Sequence, residues 1–309
     1  MHEAVLERVL VVGAKGRLGS ALISAAWPIG TFVLPATLDQ LDITDGPAVR
    51  AYLTQWRPDV VINAAAFTSV DRAEHAPETA AKVNHRGVEN LADGAAAVGA
   101  RLVHFSTGYV FDGVKADPYE ETDQVNPLCA YGRSKRGGEL AALELDDSLV
   151  IRTSWLYGSS TPGWIDGVRR LGRQGRPFSV VDDRRGSPTS VSDLAAAVVT
   201  AVKAGLATPG LFHLASPDSA SWYDLADWVL QLDGSHDRAS LRPVATDPKS
   251  TIGRRPANTT LLSSRFTDAY GVRLKPWREA MNAVWPQISG RLHSAPMSAP
   301  LTAPGPSAR

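Results

Sequence analysis

Only one cysteine, Cys129, occurs in 309 residues. No internal disulfide can form, so a reducing compartment is expected. Net charge is also missing: 32 Lys and Arg stand against 32 Asp and Glu. No long-range field for nucleic acid or an anionic membrane follows, though a local basic pocket for a phosphate remains open. No uninterrupted apolar run reaches the length a bilayer span needs. The stretch Met1 to Arg8 carries His2, Glu3, Glu7 and Arg8, not the basic start and apolar core of a secretory signal. The expectation is a cytoplasmic protein with neither nucleic acid nor membrane as partner. The 7 histidines show no metal spacing such as HExxH, so no metal ligand is assigned. Ser106 has no nucleophile-elbow context. What is present is an ordinary globular balance, 44% hydrophobic and 21% charged. The length allows one large or two modest domains with a substantial core.

Short β-branched runs alternate with helical patterns. Arg8 to Gly13 (RVLVVG) reads as a buried parallel strand, followed by a helix over Arg17 to Ala26. Phe32 to Leu34 is a short second strand. Asp45 to Trp56 has helical spacing, with Asp45 as N-cap. Val60 to Asn63 is a third strand, Pro77 to Val98 one long alanine-rich helix, and Arg101 to Ser106 a fourth strand. A helix over Tyr131 to Glu144 leads to a fifth strand, Leu149 to Arg152. This rhythm predicts an α/β fold: a doubly wound parallel sheet, helices on both faces, right-handed crossovers.

After Arg152 the rhythm loosens. Strand-like pieces (Phe178 to Val181, Leu211 to Leu214) fall between helices (Val191 to Ala204, Trp222 to Leu232, Trp277 to Trp285). The expected division is a dinucleotide-binding domain at 1–152 and a smaller, mainly substrate-binding α+β region at 153–288, parts of which return to the sheet. A disordered tail is expected over 289–309, because Ser294 to Arg309 is mostly Ala, Pro, Ser and Thr with too little apolar surface to offset its ordering entropy.

The first strand runs into Gly13-Ala14-Lys15-Gly16-Arg17-Leu18-Gly19. The first glycine permits a tight turn, the second lets a pyrophosphate approach the backbone, and the third lets helix and strand pack closely. The helix N-terminus offers free N–H groups to the phosphates. This is a Rossmann-type dinucleotide loop in GxxGxxG spacing. The acid that usually ends strand two and binds the 2′-hydroxyl of NAD is missing; the local sequence is Leu34-Pro35-Ala36-Thr37. Lys15 and Arg17 could instead meet a 2′-phosphate, so NADPH is expected, with tolerance of NADH; the alternative for both is a solvated loop charge. Asp42 and Ile43 could lie under the adenine. Ala64, Ala65 and Ala66 after strand three leave room for a cofactor at the sheet's carboxyl edge.

Tyr131-Gly132-Arg133-Ser134-Lys135 opens a helix. Residues i and i+4 share a face, so phenol and ammonium can sit side by side. A nearby positive charge would lower the tyrosine pKa and let it exchange a proton with a carbonyl oxygen near neutral pH. Composition alone produces such a pair about one time in six. Its place after strand four, which ends in Ser106-Thr107, is what raises it to a site: Thr107 polarises a ketone, Tyr131 protonates it, Lys135 tunes the phenol, and a nicotinamide supplies the hydride. His104, inside an apolar strand, reads as a core residue.

Phrases along residues 8 to 286 resemble the dTDP-4-dehydrorhamnose reductase family of extended short-chain dehydrogenases. They are Asn63 to Asp71, Ser106 to Phe111, Tyr131 to Lys135, Arg152 to Gly158, Asp182 to Thr189, and Arg254-Arg255-Pro256. The resemblance implies NADPH-dependent reduction of the 4-keto group of a dTDP-4-keto-6-deoxy sugar, most directly dTDP-4-dehydro-L-rhamnose to dTDP-L-rhamnose. It implies that Ala66, Phe67 and Thr68 lie along the cofactor, and that Thr107, Tyr131 and Lys135 are catalytic. It places Thr107, Gly108, Tyr109, Trp155 and Arg255 at the substrate, Trp155 on the sugar ring and Arg255 at the nucleotide end. Family members form homodimers, some with magnesium at the interface; no ligand for it is placed here. One departure stands out: the family usually has Asp where this chain has Gly108, and that Asp is expected to hydrogen-bond the sugar. Other readings stay open: a different 4-keto-deoxyhexose of antibiotic or glycan synthesis, an epimerase or dehydratase of the same superfamily, or a non-catalytic regulatory subunit like that of methionine adenosyltransferase.

Overall fold

The computed structural model describes residues 8–158, 163–235, 241–247 and 252–290. The predicted tail from Ser294 lies outside them. The chain runs β1 (Arg8–Val12), α1 (Arg17–Ile23), β2 (Phe32–Ala36), α2 (Gly46–Trp56), β3 (Val60–Asn63), α3 (Val70–His75) and α4 (Pro77–Ala81). A π-turn at Lys82–Arg86 leads into α5 (Gly87–Val98), then β4 (Arg101–Thr107), α6 (Ala130–Leu143) and β5 (Ser148–Thr153). Next come β6 (Leu156–Tyr157), α7 (Trp164–Arg173), β7 (Phe178–Val181), β8 (Arg185–Gly186), β9 (Thr189–Ser190), α8 (Val191–Lys203) and β10 (Gly210–His213). The last elements are β11 (Ala220–Ser221), α9 (Trp222–Asp233), β12 (Leu241–Val244), β13 (Asn258–Thr259), α10 (Ser264–Tyr270) and α11 (Trp277–Ser289).

Six strands form the central sheet in the order β10-β5-β4-β3-β1-β2. Every neighbouring pair is parallel. The central strands are apolar on both faces because helices cover both: β3 is buried along its whole length. β2 is an edge strand, which is why it tolerates Pro35, a residue with no N–H to donate. One core packs α1, α8 and α10 against one face of the sheet; a second packs α2, α5 and α6 against the other. β10 extends the sheet beyond β5, although it lies past residue 153.

β6, α7, β7, β11, α9, β12 and α11 form an outer layer with its own core, where Val168, Leu225, Val229, Trp277 and Met281 are buried. Arg169 of α7 is fully buried there. It donates to Asp233 of α9 at 2.9 Å and to the α11 carbonyls of Ile288 at 2.8 Å and Ser289 at 3.1 Å. Thus three helices share one guanidinium, and α11 runs through Ser289, correcting the expected tail boundary at 289.

Two further corrections concern helices. The expected helix over 77–98 is interrupted by the π-turn, and α3 precedes it. The turn has a polar cause. Asn84, buried within it, accepts from the Phe67 N–H at 2.8 Å and donates to the Phe67 carbonyl and the Ser134 hydroxyl, each at 2.9 Å. A π-turn lets one side chain leave the regular helical face. Here it ties the loop after β3 to α6. At α2, Asp45 caps as expected, accepting from the Ala48 N–H at 3.0 Å.

Candidate active site

At the carboxyl edge of the sheet lies a cavity of about 580 Å³. Lys15, Gly16, Arg17 and Leu18 line one wall; Ala64, Ala65, Ala66 and Thr68 line the floor. Thr107, Tyr109, Tyr131 and Lys135 meet them from β4 and α6, and Trp155 closes the far side. Gly16 and Lys135, 119 positions apart in sequence, are joined because parallel strands deliver all their carboxyl ends to one edge.

Gly13 and Gly19 stand behind this wall and shape it. Gly13 has φ +77°, and a Cβ on it would lie 2.6 Å from the Ala65 nitrogen. A Cβ on Gly19 would strike the Gly13 carbonyl oxygen. Ala14 is buried beside them. Backbone packed this closely leaves no room for side chains at Gly13 and Gly19 and holds the loop tight against the sheet, which fits the pyrophosphate of a dinucleotide.

The two loop cations part company. Lys15 pairs with Asp39 at 3.1 Å, both exposed. An acid therefore does lie just past β2, in the turn rather than at the strand's end. Arg17 instead reaches the outer layer: it donates to the Leu156 carbonyl at 3.4 Å, and burial lowers its pKa while Asp166 partly restores it. Asp42 and Ile43 do not line the cavity. Asp42 accepts from the Thr44 N–H at 2.9 Å, and Ile43 is buried against Gly87 of α5.

Tyr131 opens α6, whose N-cap is Cys129. Burial raises its phenol pKa, and a hydrogen bond with Thr107 offsets part of the rise. The expected lowering by Lys135 is not found. The Lys135 amine is turned toward His104 Nε2 at 3.4 Å, and burial lowers its own pKa to about 8 against the opposing pull of Glu139. Burial of the phenol outweighs a neighbour that is not aimed at it. Tyr131 is thus a protonated phenol, the form a proton donor needs. Tyr109 packs edge-on against it, ring centroids 5.7 Å apart.

His104 is in the core, as expected, but it is not inert. It joins Asn63 at 3.1 Å through Nδ1 as well as Lys135 through Nε2. Behind Lys135, Glu139 is held by Arg152 of β5 at 2.7 and 2.8 Å. Burial opposes the Glu139 charge, yet the Arg152 bonds win and keep the carboxyl below its usual range.

Trp155 has φ 44°, a left-handed backbone that a bulky side chain rarely adopts. Its ring stacks on Trp222, centroids 3.8 Å apart and planes at 14°, and Trp164 leans on Trp222 at 4.7 Å. All three line the cavity. Trp164 and Trp222 escaped the sequence reading because each opens a helix whose packing partner lies far away in the chain. An abundance of tryptophan, 8 residues, was the available signal.

Two expected substrate contacts, Gly108 and Arg255, stand outside the cavity lining, although the Arg255 charge is felt at Tyr109, which lines it. A Cβ on Gly108 would meet the Thr259 carbonyl oxygen at 3.0 Å and the Thr259 Cβ at 3.1 Å. Position 108 therefore faces β13, and Gly108 is not part of the cavity lining. Arg255 forms a two-pronged pair with Asp71 of α3, at 3.0 and 2.8 Å, and does not line the cavity either. Among the described residues no group of three or more His, Cys, Asp or Glu side chains could hold a metal ion, so magnesium gains no ligand set. No helix among them is long and apolar enough to cross a membrane.

The family model described as the RmlD substrate binding domain matches residues 7–289. A Streptomyces griseus protein named dTDP-4-dehydrorhamnose reductase is 39% identical over 289 residues, covering 92% of this chain and 95% of that one. A Streptomyces niveus protein named dTDP-4-keto-6-deoxy-D-glucose reductase is 38% identical over 285 residues, covering 92% and 98%. A crystal structure of dTDP-4-dehydrorhamnose reductase from Bacillus anthracis in complex with NADP superposes with a TM-score of 0.86 at 31% identity, covering 91% of this chain and 99% of that one.

Proposed function

The chain belongs to the dTDP-4-dehydrorhamnose reductase family, and from that premise we propose that it reduces the 4-keto group of a dTDP-4-keto-6-deoxy sugar, dTDP-4-dehydro-L-rhamnose to dTDP-L-rhamnose. The observation that carries this is the meeting of Thr107, Tyr131 and Lys135 in one cavity with the loop residues Lys15 to Leu18. In this reading Gly16, Arg17 and Leu18 hold the pyrophosphate, and Ala64, Ala65, Ala66 and Thr68 flank the rest of the dinucleotide. When bound, the nicotinamide supplies the hydride. Thr107 donates to the ketone oxygen and orients it. Tyr131, a neutral phenol, gives that oxygen its proton. Lys135 swings from His104 toward the ribose and the phenol and stabilises the phenolate left behind. The Trp155, Trp164 and Trp222 rings give the pyranose an aromatic wall.

The finer parts of the proposal are preference for NADPH, action in the cytoplasm, and a homodimer. For the first, Lys15 at the mouth offers an ammonium to a 2′-phosphate, while Asp39 beside it can pair with a free 2′-hydroxyl, so NADH is accommodated as well.

The test is oxidation of NADPH by the full chain supplied with dTDP-4-dehydro-L-rhamnose from an upstream epimerase. Loss of the nicotinamide absorbance in step with product is expected; none with folded protein overturns the proposal. A second reading changes the sugar to another dTDP-4-keto-deoxyhexose. The Streptomyces niveus relative favours it. Rates on a panel of keto sugars decide between the two.

A further inference from the structure

A chain of three polar contacts runs beneath the cavity floor and fixes its own polarity. It starts at the Ala65 N–H, which can only donate, and does so to Asn63 Oδ1 at 3.1 Å. That bond orients the Asn63 amide, so its nitrogen, 3.1 Å from His104 Nδ1, donates to the ring. Nδ1 is then an acceptor, and the one proton of the neutral ring must sit on Nε2. Nε2 is 3.4 Å from the Lys135 amine. An ammonium has three donors and no acceptor. The last contact is therefore donor against donor while Lys135 is charged, and becomes a hydrogen bond when it is an amine.

Resting on the reading of Tyr131 and Lys135 as the catalytic pair, we propose that His104 is a positioning residue for Lys135: pinned by Asn63 with its proton on Nε2, it loosens the lysine's hold on its own proton and turns the charged form away toward the phenol. The surroundings agree. His104 is fully buried and Lys135 nearly so, 2% exposed. Burial and the Lys135 charge hold His104 well below the usual histidine pKa, so the ring stays neutral. The other titratable groups facing Lys135 are Tyr131 and Glu139 on its own helix. Arg152 of β5 binds Glu139 and is followed by His213 of β10 at 3.4 Å. Asn84 of the π-turn, bonded to Ser134, brings no charge. Glu139 pulls toward the ammonium, but Arg152 already engages both its oxygens. Burial lowers the Lys135 pKa, and the Nε2 proton of His104, in direct contact at 3.4 Å, acts in the same direction.

The consequence is a lysine that can be charged or neutral near neutral pH. Such a group can stabilise the phenolate as an ammonium and also return a proton to it, each proton being replaced from solvent.

Two measurements test the proposal. In the full chain labelled with ¹⁵N-histidine and free of cofactor, His104 should carry its proton on Nε2, with Nδ1 bare, from pH 6 to 9. A proton on Nδ1, or a charged ring, overturns it. His104→Met keeps an acceptor and removes the donor, so the basic limb of the pH–rate profile for NADPH oxidation should move up by about one pH unit. His104→Gln can take the same polarity, oxygen to Asn63 and N–H to Lys135, and should leave the limb in place. A limb that stays put in His104→Met, with only the rate lowered, would show a packing role alone. If the wild-type protein reduced no keto sugar, the functional reading would fail while the tautomer measurement still stood.

Discussion

Tyr131 and Lys135 are a helical pair whose chemistry is decided by burial as much as by spacing. Losing the phenol should remove the proton donor and little else. Tyr131→Phe is expected to lower kcat about 100-fold or more while NADPH binding, read by fluorescence titration, stays within about twofold. Lys135 also carries a stability consequence. An unfolded lysine titrates near 10.4, but burial lowers the folded value to about 8. Between those values the unfolded chain binds more protons, so stability rises with pH through that window. Below it the fold carries a desolvated ammonium. Lys135→Met should therefore raise the melting temperature at pH 7, and its advantage should shrink as pH climbs from 8 toward 10. Thermal denaturation across that range checks the sign; an advantage that grows with pH would contradict it.

At the scale of elements, the site depends on ties between segments that share no sequence neighbourhood. The π-turn before α5 exists to place Asn84 between the loop after β3 and the helix that carries Tyr131. Asn84→Ala would strand the Phe67 N–H and carbonyl and take one of two partners from the Ser134 hydroxyl, which still donates to the Tyr131 carbonyl. A loss of about 3 kcal/mol in chemical denaturation is expected, together with weaker cofactor binding as the Ala64–Thr68 floor loosens. A variant as stable and as tight as wild type would show that the turn owes its shape to something else. α2 was legible because Asp capping is a local effect; β2 was read only to Leu34, because its continuation through Pro35 depends on its place at the sheet edge. The π-turn was not legible, since nothing in an alanine-rich helical pattern says that one asparagine will be needed by a loop and another helix at once.

Across the whole molecule, a parallel sheet holds the cofactor side and the α7–α9–α11 layer holds the far side of the cavity. Arg169 is the fastening of that layer. Arg169→Met would leave Asp233 with Arg173 and the Ser235 hydroxyl, and would take the guanidinium donor from the α11 carbonyls of Ile288 and Ser289. A destabilisation of about 3–5 kcal/mol is expected. Hydrogen exchange should quicken first in α7, α9 and α11 and last in β1, β3 and β4, because the sheet keeps its own two cores. Equal quickening in both regions would mean that the layers do not open separately.

The sequence by itself determined the parallel sheet, the glycine loop and the identity of the pair on α6, because hydrophobic period, turn chemistry and i,i+4 spacing are local properties of the chain. The phrases shared with the family did the same for the reaction class. Tertiary structure alone decided where the remaining side chains point. It turned Arg17 toward the outer layer, gave Arg255 to Asp71 and aimed position 108 at Thr259. It also brought Trp164 and Trp222 to the cavity wall, and set His104 between Asn63 and Lys135. Each of these is a contact between distant segments, and its outcome depends on which buried charge or donor finds a partner once water is excluded, a competition that no local pattern records.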